Sequence, residues 1–195
     1  MKTTILLVVG LAVGGAGRAC GQQAALPVDS TTHKITYSAV VQVPGASQAE
    51  LYGRALRWLA KQPVSPPDQR TMDATSGTLA ARVGLPFTAR AVVGSMQCTL
   101  WRQVNITVKE GRAKYEFLDF EVQPYVASAA APAPPTKAQL KLYPAEEYLD
   151  RSNGLYYDKK GQPKAYAGSI LDAVAGQAGG QAASLKAALV KPNDF

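Results

Sequence analysis

Few side chains in this sequence could do covalent or acid–base chemistry. His33 is the only histidine, and the two cysteines are Cys20 and Cys98. A serine or cysteine nucleophile needs a base beside it, so any such arrangement would have to use His33. No G-x-S-x-G elbow is present. Cys98 lies in Ser95 to Trp101, which reads as a strand, so it is expected as a small buried hydrophobe. Two carboxylate pairs stand out, Glu146-Glu147 and Asp119/Glu121. General acid–base work needs two carboxylates aimed into one cleft with separated pKa values. Adjacent residues point apart, and Glu146-Glu147 lies in a polar stretch, so neither pair predicts a dyad. One His and one Cys beyond the N-terminus exclude a Cys/His zinc site and a disulfide-stapled scaffold. The glycines make no phosphate or dinucleotide loop: Gly176, Gly179 and Gly180 follow no strand. Catalytic residues, cofactors and metals are all expected to be absent.

The N-terminus gives an address instead. Met1-Lys2 precedes an apolar run, Ile5 to Val13, and then the small residues Gly14 to Gly17. A positive start, a short apolar stretch and a small-residue end make a secretory signal peptide over 1–21. The run is too short for a membrane span, which needs about 20 residues. Ala19, Cys20 and Gly21 form the processing site: either a peptidase cleaves before Gln22, or Cys20 carries a lipid. Export in either form places the chain in the periplasm or outside the cell, with lipid on Cys20 as its only membrane attachment. The whole sequence of 195 residues has a formal charge of +7. Loss of Lys2 and Arg18 leaves 19 basic against 14 acidic residues, a net +5.

After a polar leader, 22–32, the pattern becomes that of a folded domain over 33–123. Ile35, Tyr37, Ala39, Val41 and Val43 alternate with polar neighbours, as in a half-buried strand. Ser47-Gln48-Ala49-Glu50 is a capping box that opens a helix. Leu51, Ala55, Trp58 and Leu59 fall on its apolar side; Glu50, Arg54, Arg57 and Lys61 predict a solvated charged stripe. Short strands follow over 70–74 and 78–84, with Pro86 and Gly94 punctuating the next stretch. A longer strand, Cys98 to Val108, sends Leu100, Val104, Ile106 and Val108 to one face, with Arg102 interrupting them near an edge or a shallow part of the core. Trp101, Gln103, Asn105 and Thr107 take the other face. Glu110-Gly111 predicts a hairpin turn into a partner strand, with a bulge near Phe117–Leu118. The order of strand, helix, then about four strands predicts an α+β fold, one antiparallel sheet covered on one face by helix. An Ala/Pro-rich linker or loop occupies 124–137. The extension 138–195 ends in a helix from about Ser169, which Gly176 and Gly179-Gly180 should kink or split before it docks on the sheet.

Val43 to Tyr52, with Ala55 and Trp58, resembles the opening of an exported bacterial family known only as a domain of unknown function with a TBP-like fold. Val104 to Tyr115 resembles that family's strand–turn–strand core. Glu146 to Asp150, the turn from Tyr156 to Pro163 and the final helix are also similar. The resemblance implies a curved antiparallel sheet of about five strands in βαββββ order, with both helices on one face. It implies no activity and no catalytic residues.

The expected function is therefore a non-enzymatic binding or structural module, exported to the cell envelope or secreted. Its partner would be an envelope protein or a glycan. Nucleic acid is not expected, because the basic residues are scattered and lack interleaved aromatics. The expected surface is the sheet face without helices, carrying Trp101, Gln103, Asn105, Lys114 and Glu116. The alternative is a hydrolase using His33 or the tail carboxylates.

Overall fold

A computed structural model describes residues 26–63, 70–90, 94–125 and 141–191. The signal segment with Ala19, Cys20 and Gly21, and most of the Ala/Pro stretch, lie outside them. The chain runs β1 (Tyr37–Gln42), α1 (Gln48–Ala60), β2 (Arg70–Asp73), β3 (Thr78–Arg90), β4 (Ser95–Lys109), β5 (Arg112–Tyr125), β6 (Tyr143–Pro144) and α2 (Ala165–Val190). The strands form one antiparallel sheet in the order β1-β5-β4-β3-β2, with the short β6 also on β5. Both helices cover one face, so the α+β class is as the sequence predicts.

Helix α1 starts where expected. The Ser47 hydroxyl accepts from the Glu50 N–H, and the Glu50 carboxylate accepts from the Ser47 N–H. Leu51, Ala55, Trp58 and Leu59 are buried against the sheet. Trp58 stacks on Phe117 and donates its indole N–H to Ser184 of α2 at 3.1 Å. The charged stripe needs one correction. Arg54 is buried, and its guanidinium donates to the Leu189 carbonyl at the end of α2 at 2.7 Å. Its charge sits near a helix C-terminus, where a cation is favourable.

Three further expectations fail for identifiable reasons. Helix α2 is one unbroken helix of 26 residues, beginning at Ala165 and not at Ser169. Ala167, Ile170, Leu171, Val174, Ala178, Leu185 and Leu189 make a continuous buried stripe. Gly176, Gly179 and Gly180 fall on its exposed side, so the packed side keeps the helix unbroken. Strand β3 runs on through Pro86 to Arg90. The Gly84 N–H points away from β4, to the Pro63 carbonyl at 3.1 Å. Pro86, two residues on, therefore turns its missing N–H to that same outer edge, where proline is tolerated. The bulge in β5 lies slightly later than predicted. Trp101 pairs with Glu121 and Gln103 with Leu118, so Asp119 and Phe120 together oppose Arg102. Asp119 takes a positive φ of 51°, a conformation that Asp adopts more readily than most residues.

Arg102 is the largest departure. It lies in the central strand with 0% exposure, not at an edge. Its Nε donates to Gln181 at 3.1 Å and its Nη1 to Gln177 at 3.3 Å, both on α2. Nη2 is buried without a partner. Burial lowers its pKa to about 10, so it stays charged at neutral pH. A buried charge held only by neutral amides stabilises poorly, whereas removing one of its acceptors leaves it worse off. Gln181→Leu should cost about 1–3 kcal/mol in urea unfolding. The double substitution Arg102→Met with Gln181→Leu should recover that loss or exceed wild-type stability.

Candidate functional site

The antiparallel register arranges the helix-free face in rows. From the β4–β5 turn they read Lys109–Arg112, Thr107–Lys114, Asn105–Glu116, Gln103–Leu118 and Trp101–Glu121. Strand β3 adds Thr78, Ala80, Arg82 and Gly84 to the last four rows, and β1 adds Gln42, Val40 and Ser38 to the first three. Trp101, Gln103, Asn105, Lys114 and Glu116 thus share this one face, as their alternation predicts. Lys114 pairs with Glu116 at 2.8 Å, and the Gln103 amide donates to Asn105 at 3.1 Å.

Trp101 is held in place from three sides. Across the ladder stands Gly84, where a Cβ would lie 2.6 Å from ring carbons Cε3 and Cζ3. Only glycine leaves the indole that space. The indole N–H donates to Gln123 at 2.8 Å. The Arg82 guanidinium lies over the ring, 5.3 Å from its centroid, and is ion-paired with Glu121. The result is a fixed aromatic among planar polar groups. Such a surface offers the uncovered part of the ring as an apolar contact while amides and charges take hydrogen bonds.

Beside it is a depression of about 330 Å³ lined by Lys34, Arg82, Gln103, Asp119, Phe120, Glu121, Pro144 and Glu146. The β5 bulge turns Asp119 toward Lys34, and the two are ion-paired. Asp119 holds the Lys34 ammonium above its ordinary pKa. The Glu146 carboxylate accepts the Ile35 N–H at 2.8 Å, which ties the tail to the start of β1. The carboxylates of the two sequence pairs therefore meet in a way their spacing does not predict: Asp119, Glu121 and Glu146 share one depression, while Glu147 is exposed elsewhere. Each of the three already has a cation or a backbone donor. His33 is exposed in the turn before β1, with a φ of 56°, and Cys98 is buried in β4. The structure does not bring those two together as a nucleophile and its base. No cluster of three metal-ligating side chains occurs among the described residues.

Sequence reasoning misses Arg82, Gly84, Glu121 and Gln123 as parts of the Trp101 surroundings. Strand parity alone puts Arg82 and Trp101 on outward faces. Only the β3–β4 register puts them side by side, and the bulge in β5 then brings Glu121 opposite Trp101.

The fold and this open face define an α+β protein with a curved, helix-backed sheet of TBP-like type. Residues 37–123 match the family described as "Domain of unknown function (DUF4468) with TBP-like fold". Its fold is similar to the crystal structure of a DUF4468 family protein from Bacteroides ovatus, at 17% identity and a TM-score of 0.54. That match covers 88% of this chain and 94% of the other. A TBP-like protein from Parabacteroides distasonis is similar at 16% identity and a TM-score of 0.52, covering 83% of this chain and 97% of that one. No curated protein matches the chain.

The Trp101 cradle yields a direct test. Gly84→Ala should destabilise the protein by about 1–3 kcal/mol, because the methyl group overlaps the indole. In a Trp101→Ala background the same change should cost much less, as read by a double-mutant cycle in urea.

Proposed function

We propose that this protein is an exported, non-enzymatic binding domain whose ligand surface is the open sheet face centred on Trp101. The observation that carries this reading is the stationing of Trp101. A large aromatic is fixed on the uncovered face by Gly84, Gln123 and Arg82, with the amides of Gln103 and Asn105 alongside in the next two rows. Holding a binding group rigid before the ligand arrives lowers the ordering cost of association. An envelope protein or a glycan with exposed apolar ring faces suits this chemistry.

The convergence of Asp119, Glu121 and Glu146 favours a second reading, a hydrolase. It is the weaker one. A general acid must keep its proton through desolvation or like-charge crowding, whereas these carboxylates are each engaged by Lys34, Arg82 or the Ile35 N–H.

The chain immobilised through its C-terminus, and a Trp101→Ala/Asn105→Ala variant, would be incubated with solubilised envelope fractions. The reading expects a component retained by the wild type and lost with the variant, while far-UV circular dichroism stays unchanged. Equal retention by both would remove the open face as the ligand surface. Export is tested separately by the mass of the protein recovered from its native envelope. A chain starting at Gln22, or a lipid-modified Cys20, is expected; an intact Met1 start would overturn it.

A further inference from the structure

The end of the open face farthest from Trp101 departs from the charge pairing seen elsewhere on it. Arg82 stands beside Glu121, Lys34 beside Asp119 and Lys114 beside Glu116. Lys109 and Arg112, by contrast, lie directly opposite each other across β4 and β5. Cβ atoms in such a pair are about 5 Å apart, and like charges there are destabilising. Among the described residues no carboxylate forms an ion pair with either of them. Lys114 follows in the next row, opposite Thr107.

These cations do not stand on a fraying tip. The Gly111 N–H donates to the Ala46 carbonyl at 2.9 Å, and the Gly111 carbonyl accepts the Val43 N–H at 2.8 Å. Gly111 takes a φ of +71°, which fixes the turn between the two cations. The loop between β1 and α1 therefore clamps the hairpin. Val40, Thr107, Lys109, Arg112, Lys114 and Glu116 line a depression of about 340 Å³ on this frame. Val40 is an apolar residue left 52% exposed there.

We propose that this depression binds the phosphate or sulfate group of a ligand. Glu116 already neutralises Lys114, and Glu110, exposed in the turn between Lys109 and Arg112, forms no ion pair with either, which leaves those two cations to match a dianion. The guanidinium offers a planar fork of donors, the ammonium a point charge, and Thr107 a hydroxyl. Donors of these three kinds suit a tetrahedral oxyanion, whereas a carboxylate is satisfied by arginine alone. A bound dianion also removes the Lys109–Arg112 repulsion, so the ligand-free state carries strain that binding relieves. This inference rests on the open face being the ligand surface, and names the chemistry at its second end.

The test uses inorganic phosphate on the whole chain, with thermal unfolding followed at constant ionic strength and chloride as the control. Phosphate should raise the wild-type Tm saturably, by linkage of binding to folding, and chloride should not. Lys109→Ser/Arg112→Ser should start from a higher Tm, through lost repulsion, and lose the phosphate response. Trp101→Ala should keep it, so that failure at this end and failure of the Trp101 surface are distinguishable. Co-sedimentation with phosphatidylcholine vesicles containing phosphatidic acid separates two sources of the same chemistry. Sedimentation that the double variant abolishes assigns a lipid headgroup; a phosphate response without sedimentation assigns a soluble phosphorylated or sulfated molecule. A wild-type Tm that phosphate does not raise saturably, or an equal rise in the double variant, would overturn the proposal.

Discussion

Between Leu118 and Glu121, strand β5 uses two residues where β4 uses one, and the positive φ of Asp119 absorbs the difference. Side chains alternate strictly along a strand, so this extra residue resets which ones face the helices. Before it, Phe117 points inward and stacks on Trp58; after it, Phe120 and Val122 point inward. Without the bulge, one of the two phenylalanines would lie on the open face and Glu121 would enter the core. The same reset puts Glu121 opposite Trp101 and turns Asp119 toward Lys34. Core and candidate site thus depend on a single backbone irregularity.

Arg102 sits opposite that irregularity, at the point where an apolar residue would be expected. Its guanidinium reaches α2 through Gln177 and Gln181, and Gln181 reaches on to Gln62 at the end of α1 at 2.9 Å. A polar chain therefore joins the central strand to both helices inside an otherwise apolar layer. Such a network fixes the placement of elements because a slipped arrangement would strand its donors and acceptors without partners. The Arg54 contact with the end of α2 acts in the same way at the helix–helix interface.

The open face contrasts with this interior. At one end an aromatic ring is fixed among amides and paired charges. At the other, cations oppose one another on a clamped turn. The paired end is electrostatically complete without a ligand; the cationic end is not. The face therefore has a direction, with a fixed aromatic ring at one end and cations at the other.

Local signals were sufficient for much of this. The capping box placed the start of α1, Gly111 placed the β4–β5 turn, and two-residue alternation put Trp101, Gln103 and Asn105 on one face. These features depend on neighbours within a few residues, so the sequence displays them directly. The burial of Arg54 and Arg102 is not visible in the sequence because the partners that make it tolerable lie 135 and 79 residues away. The glycines of α2 mislead for a similar reason: whether they break a helix depends on which side of it is packed. Gly84, Arg82 and Glu121 became neighbours of Trp101 only through the pairing of three strands. By itself the sequence determined the start of α1, the β4–β5 turn and the identity of the open face. Which charges are buried, and which side chains meet on that face, was decided by tertiary structure, because register and packing are set by contacts between residues far apart in the chain.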